Sequence, residues 1–325
     1  MKKVVNDIRL MIKVCDMYYN QNVSQQQIAS GLNISRPTVS RLLSSAREQE
    51  IVKISVANMD MVKYWELEKK IIDLYQLQDV VIVDSQPDEE TLQYELGRLA
   101  GKYLEYHIKD NYVVGVSMGS TLYQTVSQMS GVQASNVTFV PLIGGMGNIQ
   151  MEMNANSLAE AFSRVYQGRF VPLHAPARVS NSMIRDNLMK EESMEEVLRM
   201  EECLDVAVVG IGGLNPTSAP MVTGYFKEED ISFLREHHVA GEICLQFYDC
   251  SGDTFPYRNQ NNIIGLELRK YRKIPCSIGI AGGKEKIPAI LGAIRGQYIN
   301  VLITDAQCAH ALIEESYCDH TDQKM

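Results

Sequence analysis

The chain has 325 residues, 45% hydrophobic and 22% charged, with a net charge of −9. That leaves room for two domains with buried cores and excludes both a disordered segment and a coiled coil as the default. No apolar run approaches the roughly 18 residues of a membrane span, and Asp7, Arg9 and Lys13 break up any signal-peptide core, so a cytoplasmic protein is expected.

The seven cysteines are scattered without CxxC spacing, which argues against a disulfide framework and a zinc ribbon and for small buried hydrophobes. Charge is unevenly spread. Residues 1–56 hold eight Lys/Arg against four Asp/Glu, a net +4, which leaves −13 for the remainder. A basic head on an acidic body suits contact with a polyanion through the head alone.

Three helices are expected in the head. The first runs from about Asn6 to Tyr19, with Ile8, Met11, Ile12, Cys15 and Tyr19 on one stripe. The second starts at Ser24, with Gln27 completing a capping box, and stops at Gly31 in a left-handed C-cap. The third follows Ser35 as its cap and holds Pro37 in its first turn, where a missing N–H costs little. Val39, Leu42, Leu43 and Ala46 form its buried stripe. Ser35, Arg36, Pro37, Thr38, Ser40, Arg41 and Ser44 are left to read a major groove, with Arg36 and Arg41 foremost. The alternating run from Ile51 to Val56 predicts a strand-like wing.

The stretch "VSQQQIASGLNISRPTVSRLLSSAREQEIVKISV", with Gln25–Ala29 and Leu32–Leu43 at its centre, resembles the winged helix-turn-helix of the SorC family of bacterial sugar-responsive transcriptional regulators. Other helix-turn-helix families share parts of the pattern, so by itself it specifies a binder of double-stranded DNA.

Residues 57–77 predict a linker helix. Tyr64, Leu67, Ile71 and Leu74 form a stripe widened by Trp65, Ile72 and Tyr75, with Glu68 intruding on the apolar side. Such a face either docks on the body or pairs with another subunit.

From residue 78 onward, strand-like runs alternate with helical patterns. Strands are expected at Val80–Asp84, Tyr112–Ser117, Val137–Ile143, Val206–Ile211, Ile243–Phe247, Ser277–Ala281 and Val301–Thr304, with helices such as Glu89–His107 and Lys286–Ile294 between them. The alternation predicts an α/β fold, a doubly wound Rossmann-like sheet. Ligands bind such sheets beyond the carboxyl ends of the strands. Four strand ends carry suitable loops: "GVSMGSTLYQ", "LIGGMGN", "VGIGGLN" and "IAGGKEK". Their glycines, hydroxyls and lysines suit a small anion, although glycines also make ordinary strand-to-helix turns. Asp249 in "FYDCSGD" could accept from sugar hydroxyls or cap its own turn. No dinucleotide or P-loop fingerprint, and no metal-ligand spacing, is present, so no cofactor or metal is expected.

These body motifs, in this order, are similar to the effector domain of the same SorC family, and the resemblance then covers nearly the whole chain. It implies a domain related to sugar-phosphate isomerases, a phosphorylated-sugar effector and a homo-oligomer, often a tetramer. It also implies that Gly119, Ser120, Thr121, Gly282, Gly283 and Lys286 hold the phosphate, that Asp249 contacts the sugar, and that the Gly144–Gly145 pair belongs to the site. Met118 stands where the family often has tryptophan. Ile143 stands where relatives that respond to deoxyribose phosphate have lysine, so an imine is not expected.

The expectation is therefore a repressor of a carbohydrate-utilisation operon. The competing readings are a sugar-phosphate-metabolising enzyme with an appended head and a body that serves only for assembly. His107 and His174 are isolated in sequence and form no acid–base constellation, which weighs against the enzyme.

Overall fold

The computed structural model describes residues 7–52, 63–130, 132, 134–147, 151–214, 218 and 224–322. It divides into two compact units, Met1–Lys63 and Tyr64–Met325.

The first unit is built on three helices, α1 (Ile8–Cys15, continued by a π-helical turn), α2 (Gln25–Gly31) and α3 (Arg36–Glu48). Asp7 caps α1, its carboxylate accepting from Leu10 N at 3.1 Å. The buried face of α1 is centred on Met11, Val14 and Cys15. Ile8 and Ile12, expected inside, are 56% and 52% exposed, because Val14 turns the inward face away from them. The capping box at Ser24 forms in both directions: Gln27 N donates to Ser24 Oγ and Ser24 N donates to Gln27 Oε1. Gly31 is not the left-handed residue expected there. It closes α2 in helical conformation, and Asn33, at φ 55°, makes the turn instead; a short polar side chain tolerates that region. Ser35 caps α3 by accepting from Thr38 N at 3.3 Å, and Val39, Leu42, Leu43 and Ala46 fill the core of the unit. Ile51 and Val52 pack on that core, and the rest of the expected wing lies outside the described residues.

The second unit opens with α4 (Trp65–Tyr75), the helix expected as a linker. It docks on the body. Ile71 is fully buried, Tyr64, Leu67, Ile72 and Tyr75 pack beside it, and Tyr75 Oη donates to Leu312 O at 2.5 Å. Trp65 and Leu74 face outward. Glu68 has a use on this apolar side: its carboxylate accepts from Ile82 N at 3.1 Å, and burial raises its pKa.

The sheet has seven parallel strands in the order β1-β9-β8-β5-β2-β3-β4. They are β1 (Asp79–Val83), β2 (Val113–Val116), β3 (Thr138–Pro141), β4 (Arg169–Phe170), β5 (Val206–Gly210), β8 (Cys276–Ile280) and β9 (Val301–Asp305). Strands of Val, Ile and Leu covered on both faces are what a parallel sheet requires. On one face α5 (Glu89–His107), α6 (Ser120–Ser127) and α7 (Ala155–Val165) bury Leu96, Leu122 and Phe162 against Val114 and Ile303. The other face is covered by α4, α12 (Ile287–Arg295) and α13 (Ala306–Asp322), among others. At the β1 edge, the backbone N–H of Val80 donates to Asp79 Oδ1 at 2.9 Å, alongside the Ile82–Glu68 bond.

The run expected as a sheet strand at Ile243–Phe247 is a hairpin apart from the main sheet. It comprises β6 (Gly241–Ile243) and β7 (Gln246–Tyr248), paired antiparallel. Its two turn residues, Cys244 and Leu245, both have positive φ and are buried. A two-residue type I′ turn demands that backbone, and neither residue advertises it. Strand β4 is a further addition, too short for a periodicity to announce.

Candidate functional site

From β2 the chain runs outward to β3 and β4, whereas β5 lies on the other side of β2 and leads to β8. The carboxyl ends of β2 and β5 therefore flank the point where strand order reverses, the place at which open α/β sheets leave a crevice. A cavity of about 340 Å³ occupies it. Its described lining comes from the loop after β2 (Ser117 to Thr121), from Met146 and Met153, and from the loop after β5 (Gly210 to Gly213). Glu89 and Gln93 of α5, Glu242 and Cys244 of the hairpin, Ser218 and Lys286 complete it.

The loop after β2 is fixed from both sides. Ser117 N donates to Val208 O, and Gly210 N donates to Ser117 Oγ. Gly119, at φ 117°, turns the chain into α6, a conformation that disfavours any residue with a Cβ. Ser120 and Thr121, the first two residues of α6, line the cavity, and a helix N-terminus is a place suited to an anion.

Opposite features come from the hairpin. Glu242 is 6% exposed and exchanges two backbone hydrogen bonds with Gly212, at 3.0 and 2.9 Å. A Cβ on Gly212 would fall on Glu242 Oε1, so glycine there is what admits the carboxylate. Glu242 Oε2 accepts from Leu245 N at 2.7 Å and closes the buried turn. Burial pushes the Glu242 pKa up to about 7, against the pull of the Leu245 N–H and the Lys286 charge. Burial also pushes the Cys244 thiol up to about 12, so it lines the cavity as an unreactive wall.

Of the residues singled out in sequence, the structure brings Gly119, Ser120, Thr121 and Lys286 together at this cavity. The others lie elsewhere. Gly144 N donates to Ile264 O and Gly145 N to Ala175 O, binding that loop to its neighbours. Gly283 N donates to Asp305 Oδ2 at 2.7 Å, and Gly282 packs on the same carboxylate, so this N–H already has an anion. The Asp249 carboxylate accepts from Ser251 N, Ser251 Oγ and Asp253 N, the turn-capping role, and these bonds lower its pKa against the opposing effect of partial burial. Ile143 is buried beside Gly265 and does not line the cavity. Glu242 is absent from the sequence reading. Its one signal was a lone acid in the apolar run "GEICLQF".

On the first unit, Ser35, Arg36, Pro37, Ser40, Arg41 and Ser44 are exposed along α3. Thr38 is half-buried, its hydroxyl 2.8 Å from Ser35 Oγ. Neither Arg36 nor Arg41 is in an ion pair among the described residues.

A helical basic unit in one chain with an α/β domain that carries a small-molecule cavity is the architecture of a ligand-responsive regulator. A family model described as a putative sugar-binding domain matches residues 59–314. The "Deoxyribonucleoside regulator" of Bacillus subtilis (strain 168) is 34% identical over 311 residues, covering 94% of this chain and 98% of that protein. The "Sorbitol operon regulator" of Klebsiella pneumoniae is 32% identical, covering 95% and 99%. The crystal structure of the full-length sorbitol operon regulator SorC from the same organism superposes with a TM-score of 0.70 at 32% identity, over 95% of this chain and 99% of that one. The chain belongs to the SorC family. Its relatives are regulators, and it is not an enzyme. No helix among the described residues is long and apolar enough to cross a membrane.

Proposed function

We propose that the chain is a DNA-binding transcriptional repressor of a carbohydrate-utilisation operon, released by a phosphorylated sugar bound in the cavity between β2 and β5, and that it acts as a homo-oligomer, a tetramer. The observation that carries this reading is the convergence of the α6 N-terminus, Ser120, Thr121 and Lys286 on one cavity. A phosphate ester is the small anion that matches a helix N-terminus, two hydroxyls and an ammonium group. Glu242, whose Oε1 has no hydrogen-bond partner among the described residues, suits the hydroxyls of the sugar. On the first unit, the capped helix α3 offers Arg36 and Arg41 on a face of small polar side chains, fit for a major groove.

Binding of effector shifts the protein between states with different affinity for operator, by no more than its differential affinity for those states. The test is operator binding by the full chain against salt concentration, with and without sugar phosphates. A steep salt dependence is expected, and Arg41→Ala should weaken binding and flatten the slope by about one counterion. Lys286→Ala should abolish release by effector and leave operator binding intact. Binding that is indifferent to Arg41, or release that survives loss of Lys286, would overturn the assignment.

A further inference from the structure

We propose that Asp305 is a positioning residue for the effector cavity: from the head of α13 it holds the backbone of Gly283 and thereby sets Lys286 in the cavity wall; this rests on the sugar-phosphate reading above. Asp305 ends β9, directly before α13, and is 2% exposed. Its two oxygens have different tasks. Oδ1 accepts from the N–H groups of Gln307 and Cys308, at 2.9 and 3.2 Å, and from Ser85 Oγ at 3.4 Å, and so caps α13. Oδ2 crosses to the loop after β8 and accepts from Gly283 N at 2.7 Å.

Gly283 is held on its carbonyl side as well. Its oxygen accepts from Cys308 Sγ, in the first turn of α13, at 3.2 Å, and from Lys286 N at 3.0 Å. The second of these bonds closes the short turn Lys284–Lys286, which leads into α12. The first turn of α13 thus fixes the residue on which that turn is built. The register of the turn decides which lysine meets the cavity: Lys286 lines it and is half-buried, whereas Lys284 is exposed and does not. The paired glycines serve the carboxylate. A Cβ on Gly282 would stand 2.6 Å from Asp305 Oδ2, and Gly283 has φ 94°, a backbone conformation that a side chain disfavours. A turn held in advance leaves only the lysine side chain to be ordered when an anion binds.

Asp305→Asn separates the two tasks. An amide oxygen caps a helix as well as a carboxylate does, while the new N–H₂ opposes the Gly283 N–H, donor against donor. Hydrogen exchange of the ligand-free full chain should quicken about tenfold over residues 283–286 and stay slow at Gln307 and Cys308. Calorimetric titration with fructose 6-phosphate, ribose 5-phosphate and inorganic phosphate should show binding about tenfold weaker than in the parent. The dependence of that binding on salt should also flatten, because the lysine charge is no longer held against the anion. Should the variant fail to fold, Cys308→Ala, which takes the thiol from the Gly283 carbonyl, should quicken exchange over the same residues and weaken binding in the same direction. Unchanged exchange over 283–286 overturns the hold on Gly283, whatever the effector is. Faster exchange with unchanged affinity, or weaker affinity with an unchanged salt dependence, overturns the route through Lys286. If neither ester nor phosphate binds the parent, while exchange still quickens in the variant, the effector reading falls and Asp305 keeps a structural role alone.

Discussion

Glu201, the last residue of α9 (Glu195–Glu201), permits a demanding test of the energetics of the body. It is 4% exposed, and neither carboxyl oxygen has a hydrogen-bond partner among the described residues. Burial pushes its pKa up from 4.5 to about 8, with Lys270 pulling down and Glu267 and Glu202 pushing up. The carboxyl therefore folds in its neutral form. Below pH 4.5 both folded and unfolded chains carry the proton and stability is undiminished. Between pH 4.5 and 8 the unfolded chain has lost the proton that the folded one keeps. Stability then falls with rising pH by about 1.4 kcal/mol per pH unit, about 4–5 kcal/mol over the window.

Glu201→Gln keeps the size of the side chain and removes the titration. The variant should be more stable than the parent at pH 7.5 by a few kcal/mol, with the advantage shrinking steadily toward pH 5. Glu242, raised in the same sense to about 7, contributes equally to both proteins. Urea unfolding at pH 5.5, 6.5 and 7.5, followed by the fluorescence of Trp65, reads this directly. Trp65 is the single tryptophan of the chain and lies in the second unit. Parallel pH curves for the two proteins, or a variant less stable than the parent at pH 7.5, would refute the reasoning.

Three further outcomes are expected. Gly212→Ala should lower the melting temperature and destroy effector binding, since its Cβ would occupy the position of Glu242 Oε1, whereas Gly213→Ala, with its nearest neighbour 4.0 Å away, should leave the melting temperature unchanged. Ser35→Ala should cost the first unit about 1 kcal/mol by leaving Thr38 N without its cap, visible as weaker operator binding at elevated temperature. Ile71→Ala should destabilise the body by about 2–4 kcal/mol, measured through Trp65, because the side chain is fully buried on the inner face of α4.

Much of the architecture was legible because local rules and tertiary packing agree there. Helix α5 starts and stops where the capping residue Asp88 and the apolar repeat set it, at Glu89–His107. The inward face of α3 follows its repeat residue for residue. Legibility failed where long-range contacts decide. Glycine at Gly282–Gly283 and Gly144–Gly145 looked like room for a ligand. In three dimensions the partners are Asp305, Ala175 and Ile264, which a sequence pattern does not identify. Asp249 likewise spends its carboxylate on its own turn. Conversely, Glu242 reaches the cavity only because a distant Gly212 leaves space and a Cys-Leu turn accepts left-handed backbone. No local signal encodes that arrangement.

The closing of the β1 margin bears on how copies of this chain can associate. An edge strand with free donors is a template on which a second sheet can grow. Here Val80 and Ile82, whose N–H groups point the same way off the edge, both donate to carboxylates, of Asp79 and Glu68. The opposite margin, β4, is two residues long. Neither end of the sheet offers a ladder to continue, which guards against runaway strand addition. In the homo-oligomer proposed above, contacts between copies would then be made by helices and loops, so substitutions that alter subunit number should map to the outer faces of helices and leave the strands untouched.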